Sequence, residues 1–590
     1  MKTNLLTNIF LLAAFFVAQN ISAYDFSEEN EDGVTIYYNV LNENQKTCEV
    51  TWMQEGRDFN KPDIFTDYVG EVNIPSSANG YQVTQIGKKA FTRCSNLTSV
   101  SIPNSITIIE EGAFYGCVGL TSLVIPNSVA YIGDFSFDRC TGLTSLTIGE
   151  SVGYIGTCAF FGCNGLTSLV LPNVKTIRNQ AFSGCSGLTS LDLGNSLVRI
   201  GWSAFSGLSG ITSLTIPETV TTIEDHVFSG CKSLISVTIP KSVTKMGANP
   251  FMNCANLTSI VVEEGNPKYN SISTCNAVIE TSTKKLITGL NNLVIPDYIT
   301  SIGEYAFGYC EGLNSIVIPS SVTSIENGAF YHCEDLTSVS LPNSLVSIGV
   351  YAFQDCTSLE SIDIPNSVTT IKNQAFWGCS SLASVSIGNS VETIGGYAFL
   401  DCIGLTTLTI PNSVTSIEQM AFGGCKGLTT VKSYITDVFV TGSSAFTGCQ
   451  NAILYVPVGL KSTYQSTADW NRFTNIEELP GISLTLACSD QGKVVINDVM
   501  TYTNMVGEVT VYDGTENKFV FTPEENCKLD RVLVNGLDVS KSVKNNQLTT
   551  TLLPNSTIMV IFTPNGADVN GDGQIDISDV VALVNIILGQ

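Results

Sequence analysis

A phenylalanine returns about every 23 residues through most of this chain, and that period constrains the fold more than any other feature. The dipeptide Ala-Phe, or a close variant, places Phe at 91, 114, 137, 160, 182, 205, 228 and 251, and after a gap at 307, 330, 353, 376, 399, 422 and 446. One unit reads Leu313-Asn-Ser-Ile-Val-Ile-Pro319, Ser-Ser-Val-Thr-Ser-Ile325, then Glu-Asn-Gly-Ala-Phe330-Tyr-His-Cys333. A period of about 20–29 residues around an L-x-x-L-x-L core is the pattern of a leucine-rich solenoid, with one coil per repeat. Leu313, Ile316 and Ile318 are expected to point inward from a short strand that Pro319 ends. Val322 and Ile325 continue the core, and Ala329, Phe330 and Cys333 fill the far side from a short helical or 3₁₀ turn. No single coil can bury its own apolar face, so stability has to come from stacking. The expected fold is an α/β-type solenoid dominated by β, about fifteen coils of 23 residues in an arc roughly 70 Å long.

The signature I-P-x-S-V-x-x-I-G-x-x-A-F-x-x-C recurs in many copies, for example from Ile364 to Cys379 with Lys372 in the Gly position. It closely resembles the BspA-like class of bacterial leucine-rich repeat surface proteins, over about residues 24–478. The resemblance implies a secreted or surface-exposed protein associated with adhesion, with no catalytic residues to carry over.

The flanking segments divide the rest. Lys2, an apolar stretch over 5–18 and the small residues Ser22-Ala23 before Tyr24 have the layout of a secretory signal peptide at 1–23. The apolar stretch is shorter than the ~20 residues a spanning helix needs. The mature chain is therefore expected outside the cell or at its surface, with no membrane span. Residues 24–80 read as an N-terminal β cap, with strands near 34–40 and 48–52, and residues 81–453 as the solenoid. The 56-residue gap between Phe251 and Phe307 reads as a hairpin insert near 263–289. Tyr464, Trp470, Phe473 and Ile476 supply a C-terminal cap at 454–479. Residues 482–565 read as a small all-β, sandwich-like accessory domain, in which Asn535-Gly536 between apolar runs marks a tight turn.

The tail at 566–590 holds the one sharp chemical motif. Asp568, Asn570, Asp572, Gln574 (through its backbone carbonyl), Asp576 and Asp579 fall at positions 1, 3, 5, 7, 9 and 12 of a calcium loop, with Gly573 at the turn. Ca²⁺ is the expected cofactor. This loop with a single following helix resembles a dockerin type I half-repeat, which implies a cohesin-like partner. It also opens an alternative function, a scaffold or accessory subunit of a polysaccharide-degrading complex. The helix after Asp579 is apolar nearly all round, so it has to pack on the β domain, on a second copy of itself or on that partner.

Charge and chemistry narrow the function. Lys+Arg total 28 against Asp+Glu 53, a net charge of −25 that repels nucleic acid. The two histidines, His226 and His332, are expected exposed on connecting arms, and two are too few for a zinc triad. Fourteen of the nineteen cysteines sit three residues after a Phe, and Leu208 takes that place in the sixth coil. Leucine can replace a buried small hydrophobe but not a bridge partner, so the cysteines are expected to form a ladder of buried thiols. On the concave strand face, Thr98, Ser99 and Ser101, Thr144, Ser145 and Thr147, and Thr406, Thr407 and Thr409 form hydroxyl ladders without an aromatic platform. As a whole this face is expected to bind a protein or glycan ligand. Its acidic residues do not converge: Asp192 lies seven strands from Glu360 and Asp363, about 34 Å, where glycoside hydrolysis needs carboxylates within ~9.5 Å. The expectation is a non-catalytic binding protein.

Overall fold

The computed structural model describes residues 24–52, 68–271, 276–479 and 481–564, the last apart from 497–499, 513–515, 525–526 and 552–555. The signal segment and the whole calcium tail, Asp568 to Asp579 included, lie outside the described residues. The chain divides into two compact units. One runs through Val431 and takes in Phe439–Ala452 and Thr467–Thr474; the other comprises Lys432–Val438, Ile453–Ser466 and the chain from Asn475 onward.

The first unit is a β-dominated solenoid. In the coil quoted above, Ser315–Val317 and Ser324–Ile325 are the two strands, and Val322 N–H closes the bend by bonding the Pro319 carbonyl at 3.0 Å. Leu313, Ile316, Ile318, Val322, Ile325, Ala329, Phe330 and Cys333 are all buried, as the repeat pattern requires. Neighbouring coils pair in parallel one repeat apart, Ser315 with Ser338 and Ser324 with Ser347.

The turn that carries Phe330 is neither helical nor 3₁₀. Gly328 (φ 59°) and His332 (φ 53°) sit in the left-handed region on either side of it, which breaks any helix after one turn. Alternate N–H groups then have different destinations. Tyr331 N and Cys333 N bond back to Gly328 O and Phe330 O at 2.8 and 3.2 Å, while Gly328, Phe330 and His332 donate to Val350 O, Ala352 O and Gln354 O of the next coil, each at 2.8 Å. The turn is thus a chain of β-turns laced to its neighbour, and the backbone is satisfied without a helix. Among the described residues, helix is confined to Lys461–Ser466 and two 3₁₀ turns, Trp470–Arg472 and Ser540–Ser542.

The Phe anchors stack into a continuous column. From Phe91 to Phe251 successive ring centroids lie 4.7–5.7 Å apart with planes within 8°. From Phe307 to Phe446 they lie 5.0–5.5 Å apart with planes within 6°. Two anchors are not phenylalanine. Tyr68 packs on Phe91 at 4.4 Å with its ring tilted by 40°, ahead of a parallel pair formed by Gly70–Asn73 and Leu97–Ser101. Trp470 packs on Phe446 at 5.0 Å. Coils therefore begin at about residue 68, before the expected boundary at 81, and the array numbers about 18 coils rather than fifteen. The N-terminal strands Phe26–Glu29, Thr35–Asn42 and Thr47–Thr51 are antiparallel among themselves, and the last joins the coil ladder in parallel with Tyr81–Ile86.

The insert interrupts both strand ladders and the Phe column. Tyr269–Asn270, Ala277–Glu280 and Lys285–Gly289 form an antiparallel group, and the parallel ladder resumes from Lys285–Gly289. Gly289 takes the place beside Phe307, where a Cβ would lie 2.4 Å from the ring. Asn249, 3% exposed, fastens the junction: its amide donates to Tyr305 O at 2.7 Å and its Oδ1 accepts from Thr288 Oγ1 at 3.0 Å.

In the second unit, Ile453–Val456 and Asn475–Glu478 pair in parallel, and Tyr464 is buried with its hydroxyl on Ser433 Oγ and Ile435 O. The described residues of 481–564 form one mixed, continuously hydrogen-bonded seven-stranded sheet. The long strand Gly481–Ile496 pairs with Met500–Tyr512 along its length and separately with Glu516–Pro523 and Thr557–Pro564. The sheet thereby encloses Leu486, Val494, Val511, Phe519, Phe521, Val560 and Phe562. Asn535 (φ 50°) and Gly536 (φ 78°) make the tight turn between Cys527–Val534 and Leu537–Asp538, both left-handed as a type I′ hairpin demands.

Candidate ligand-binding surface

The longer strands present three outward columns per coil. Thr144, Ser145 and Thr147 are exposed, as are Thr406, Thr407 and Thr409. The first column is partly spent on the scaffold, however. Thr144 Oγ1 donates to Thr121 O at 3.1 Å, Thr406 Oγ1 to Ala383 O at 3.3 Å and Thr337 Oγ1 to Asn314 O at 3.0 Å. The second and third columns are what a partner meets. In the third, the hydroxyls give way to aliphatics on three passes consecutive in sequence: Val261, Val294 and Val317 are 45%, 78% and 72% exposed. Asp192, Glu360 and Asp363 are exposed on the same face; Asp192 Oδ1 accepts the Gly194 N–H at 2.9 Å, a local turn contact.

The histidines are not exposed arm residues. Both sit in the Phe turns, where neighbouring aromatic side chains partly cover them. His226 packs edge-on against Tyr305 with Nδ1 3.3 Å from Asn249 O, and burial holds its imidazole below the usual range. His332 stacks flat on Tyr309 at 4.7 Å and meets Tyr331 edge-on at 4.4 Å. Its Nε2 lies 3.1 Å from Asp355 and its Nδ1 3.5 Å from Glu334. This aromatic ridge was missed by a reading that followed the strand columns. The signal was present in the residues flanking Phe307, Phe330, Phe353, Phe376 and Phe399, which include Tyr305, Tyr309, Tyr331, Tyr351, Trp377 and Tyr397.

The thiol ladder has a bonding role as well as a packing one. Twelve ladder cysteines, from Cys117 to Cys449, donate S–H to the Phe carbonyl of the preceding coil at 3.0–3.6 Å. Burial raises the thiols: Cys185 is pushed up to about 12, and Cys117, Cys140 and Cys163 well above the ordinary value. Cys333→Ala should cost about 1 kcal/mol, the scale of one deleted core methylene. Mass spectrometry of the non-reduced protein should find no bridge between adjacent repeats.

Two recesses open at the insert. One, about 30 Å³, is lined by Cys254, Thr288, Gly289 and Cys310. The other, about 130 Å³, is lined by Asp225, Lys285 and Glu304. Both fall short of the ~300 Å³ at which ligand pockets begin. Among the described residues no cluster of three His, Cys, Asp or Glu could hold a metal. No described helix is long and apolar enough to cross a membrane.

Parallel coils laced one repeat apart, with outward columns, define a leucine-rich-repeat solenoid. The chain belongs to the BspA-type leucine-rich repeat family, whose repeat model matches over residues 68–189, 155–278, 278–406 and 392–486. Among solved structures it is similar to a leucine-rich cell-surface protein of Faecalibacterium prausnitzii A2-165, at 27% identity and TM-score 0.49 over 69% of this chain and 95% of that one. It is also similar to a leucine-rich repeat protein of Bacteroides ovatus ATCC 8483, at 26% identity and TM-score 0.44 over 78% and 100%. The pneumococcal vaccine antigen PcpA matches at 17% identity and TM-score 0.44 over 78% and 100%. No curated protein matches the chain.

Proposed function

We propose that this is an exported, non-catalytic binding protein that engages a protein ligand through the longer-strand face of its solenoid. The observation that carries this reading is the strong exposure of the aliphatic side chains Val261, Val294 and Val317 among strand positions otherwise held by Ser and Thr. Each buried Val is worth roughly 1.5 kcal/mol or more. Adhesion to an extracellular protein uses such a surface without turnover. Immobilised matrix proteins should retain the full chain and release it when residues 81–453 are deleted, while polysaccharide and peptide substrates should yield no product. Product formation by the intact chain would defeat the reading.

Residues 566–590 supply a second, separable function in this proposal. Asp568, Asn570, Asp572, Gln574, Asp576 and Asp579 hold one Ca²⁺, and the helix after the loop docks either on the β-rich region or on a cohesin-like partner, the role of an accessory subunit in a polysaccharide-degrading assembly. Calorimetry of the full chain should show one calcium site that Asp568→Ala with Asp572→Ala abolishes, since two charged ligands are lost. Wild-type protein that takes up no calcium would remove the site.

A further inference from the structure

We propose that the turn ridge of the coils from Phe307 to Phe399 is a stacking track for a neutral, linear, β-linked glycan, on a different face from the protein-binding columns. Five successive coils each place at least one partly exposed aromatic ring there: Tyr305 and Tyr309, Tyr331 with His332, Tyr351, Trp377, and Tyr397. The rings of the first two coils are already in mutual contact, Tyr305 to Tyr331 at 5.8 Å and Tyr309 to Tyr331 at 5.4 Å.

The turn backbone sets where these rings stand. The residues two before and two after the Phe anchors are left-handed, with Asn249 the exception, and they are filled by glycine, such as Gly328 (φ 59°) and Gly378 (φ 73°), or by residues as varied as Lys89, Phe135 and Gln180. In this stretch Tyr305, Tyr309, His332, Tyr351 and Tyr397 take those places with φ between 51° and 59°.

Spacing and charge select the ligand. The Phe rings beneath the ridge advance 5.0–5.3 Å per coil, and a diequatorially linked pyranose chain advances by close to that distance per sugar. An extended peptide advances about 3.3–3.4 Å per residue, so its side chains drift out of register over five coils. The apolar faces of pyranoses stack on aromatic rings, and Glu304, Glu334 and Asp355 beside them are acceptors for sugar hydroxyls. Those carboxylates also repel a polyanionic glycan, as does the net charge of −25.

Affinity electrophoresis of the full chain through native gels containing hydroxyethyl cellulose, xylan or glycol chitin tests this, with alginate as the anionic control. At least one of the three neutral polymers should retard the protein, and alginate should not. Tyr309→Gly with Tyr351→Gly should weaken retardation about tenfold or more while melting no lower than wild type, because glycine relieves the left-handed backbone. Trp377→Ala should weaken it, and Trp377→Phe should restore part of it. Failure of all three neutral polymers, retardation unchanged in the variants, or equal retardation by alginate would overturn the proposal. Val294→Asp with Val317→Asp, which tests the protein-binding face, should leave glycan retardation unchanged, so the two readings fail independently.

Discussion

Phe353→Ala should lower the stability of the solenoid by about 3–5 kcal/mol, the cost of emptying a fully buried aromatic site. Phe353 is 0% exposed and stacked between Phe330 at 5.0 Å and Phe376 at 5.3 Å. Its removal takes away two ring contacts as well as the burial, and each stacked pair adds roughly 0.5–1.5 kcal/mol. The coils on either side are laced through the same turn, so the void cannot close without breaking the bonds from Phe330 N to Ala352 O and from Phe353 N to Ala375 O. Urea unfolding followed by circular dichroism measures the loss. A change below about 1 kcal/mol would mean that the column fills space without supporting the array.

The second large effect is alkaline unfolding. A thiol in the unfolded chain ionises near pH 8.5, whereas burial pushes Cys185 up to about 12 and its ladder neighbours up as well. A raised folded-state value favours the protonated form in the fold. The stabilisation is therefore complete below about pH 8.5 and is lost as pH climbs towards 12. Each such thiol forfeits about 1.4 kcal/mol per pH unit in that window. The raised ladder thiols acting together should unfold the array within one or two units above about pH 9. Native protein should resist iodoacetamide at neutral pH and react across the ladder once unfolded. Solenoid β-structure that survives unchanged to pH 11 would contradict the thiol assignment.

The inward residues of each coil were legible because their period is the fold: Leu313 through Cys333 land where the spacing puts them. The type I′ turn at Asn535-Gly536 was legible for a local reason, since two adjacent residues suited to left-handed backbone lie between apolar runs. The anchors Tyr68 and Trp470 escaped because neither is a Phe preceded by Ala, although each is one period or close to it from its neighbour. The turn was misread as helical because its left-handed positions hold residues as different as Gly, His, Tyr and Asp, whose common conformation leaves no common composition. The histidines were misplaced because part of their cover comes from other coils, Tyr309 over His332 and Tyr305 against His226, where Asn249 closes the junction beside the insert. The hydroxyl columns were visible in the sequence, but not that Thr144, Thr337 and Thr406 turn their donors back to the scaffold.

The central claim is that the solenoid binds a protein ligand through its exposed strand columns. Surface plasmon resonance of the full chain over a panel of immobilised extracellular-matrix proteins, beside the Val294→Asp, Val317→Asp variant, tests it most directly. The account predicts saturable binding to at least one protein, weakened about tenfold or more in the variant with the melting temperature unchanged, because both side chains already face water. Binding of equal strength in the variant, or no saturable binding across the panel, would contradict it.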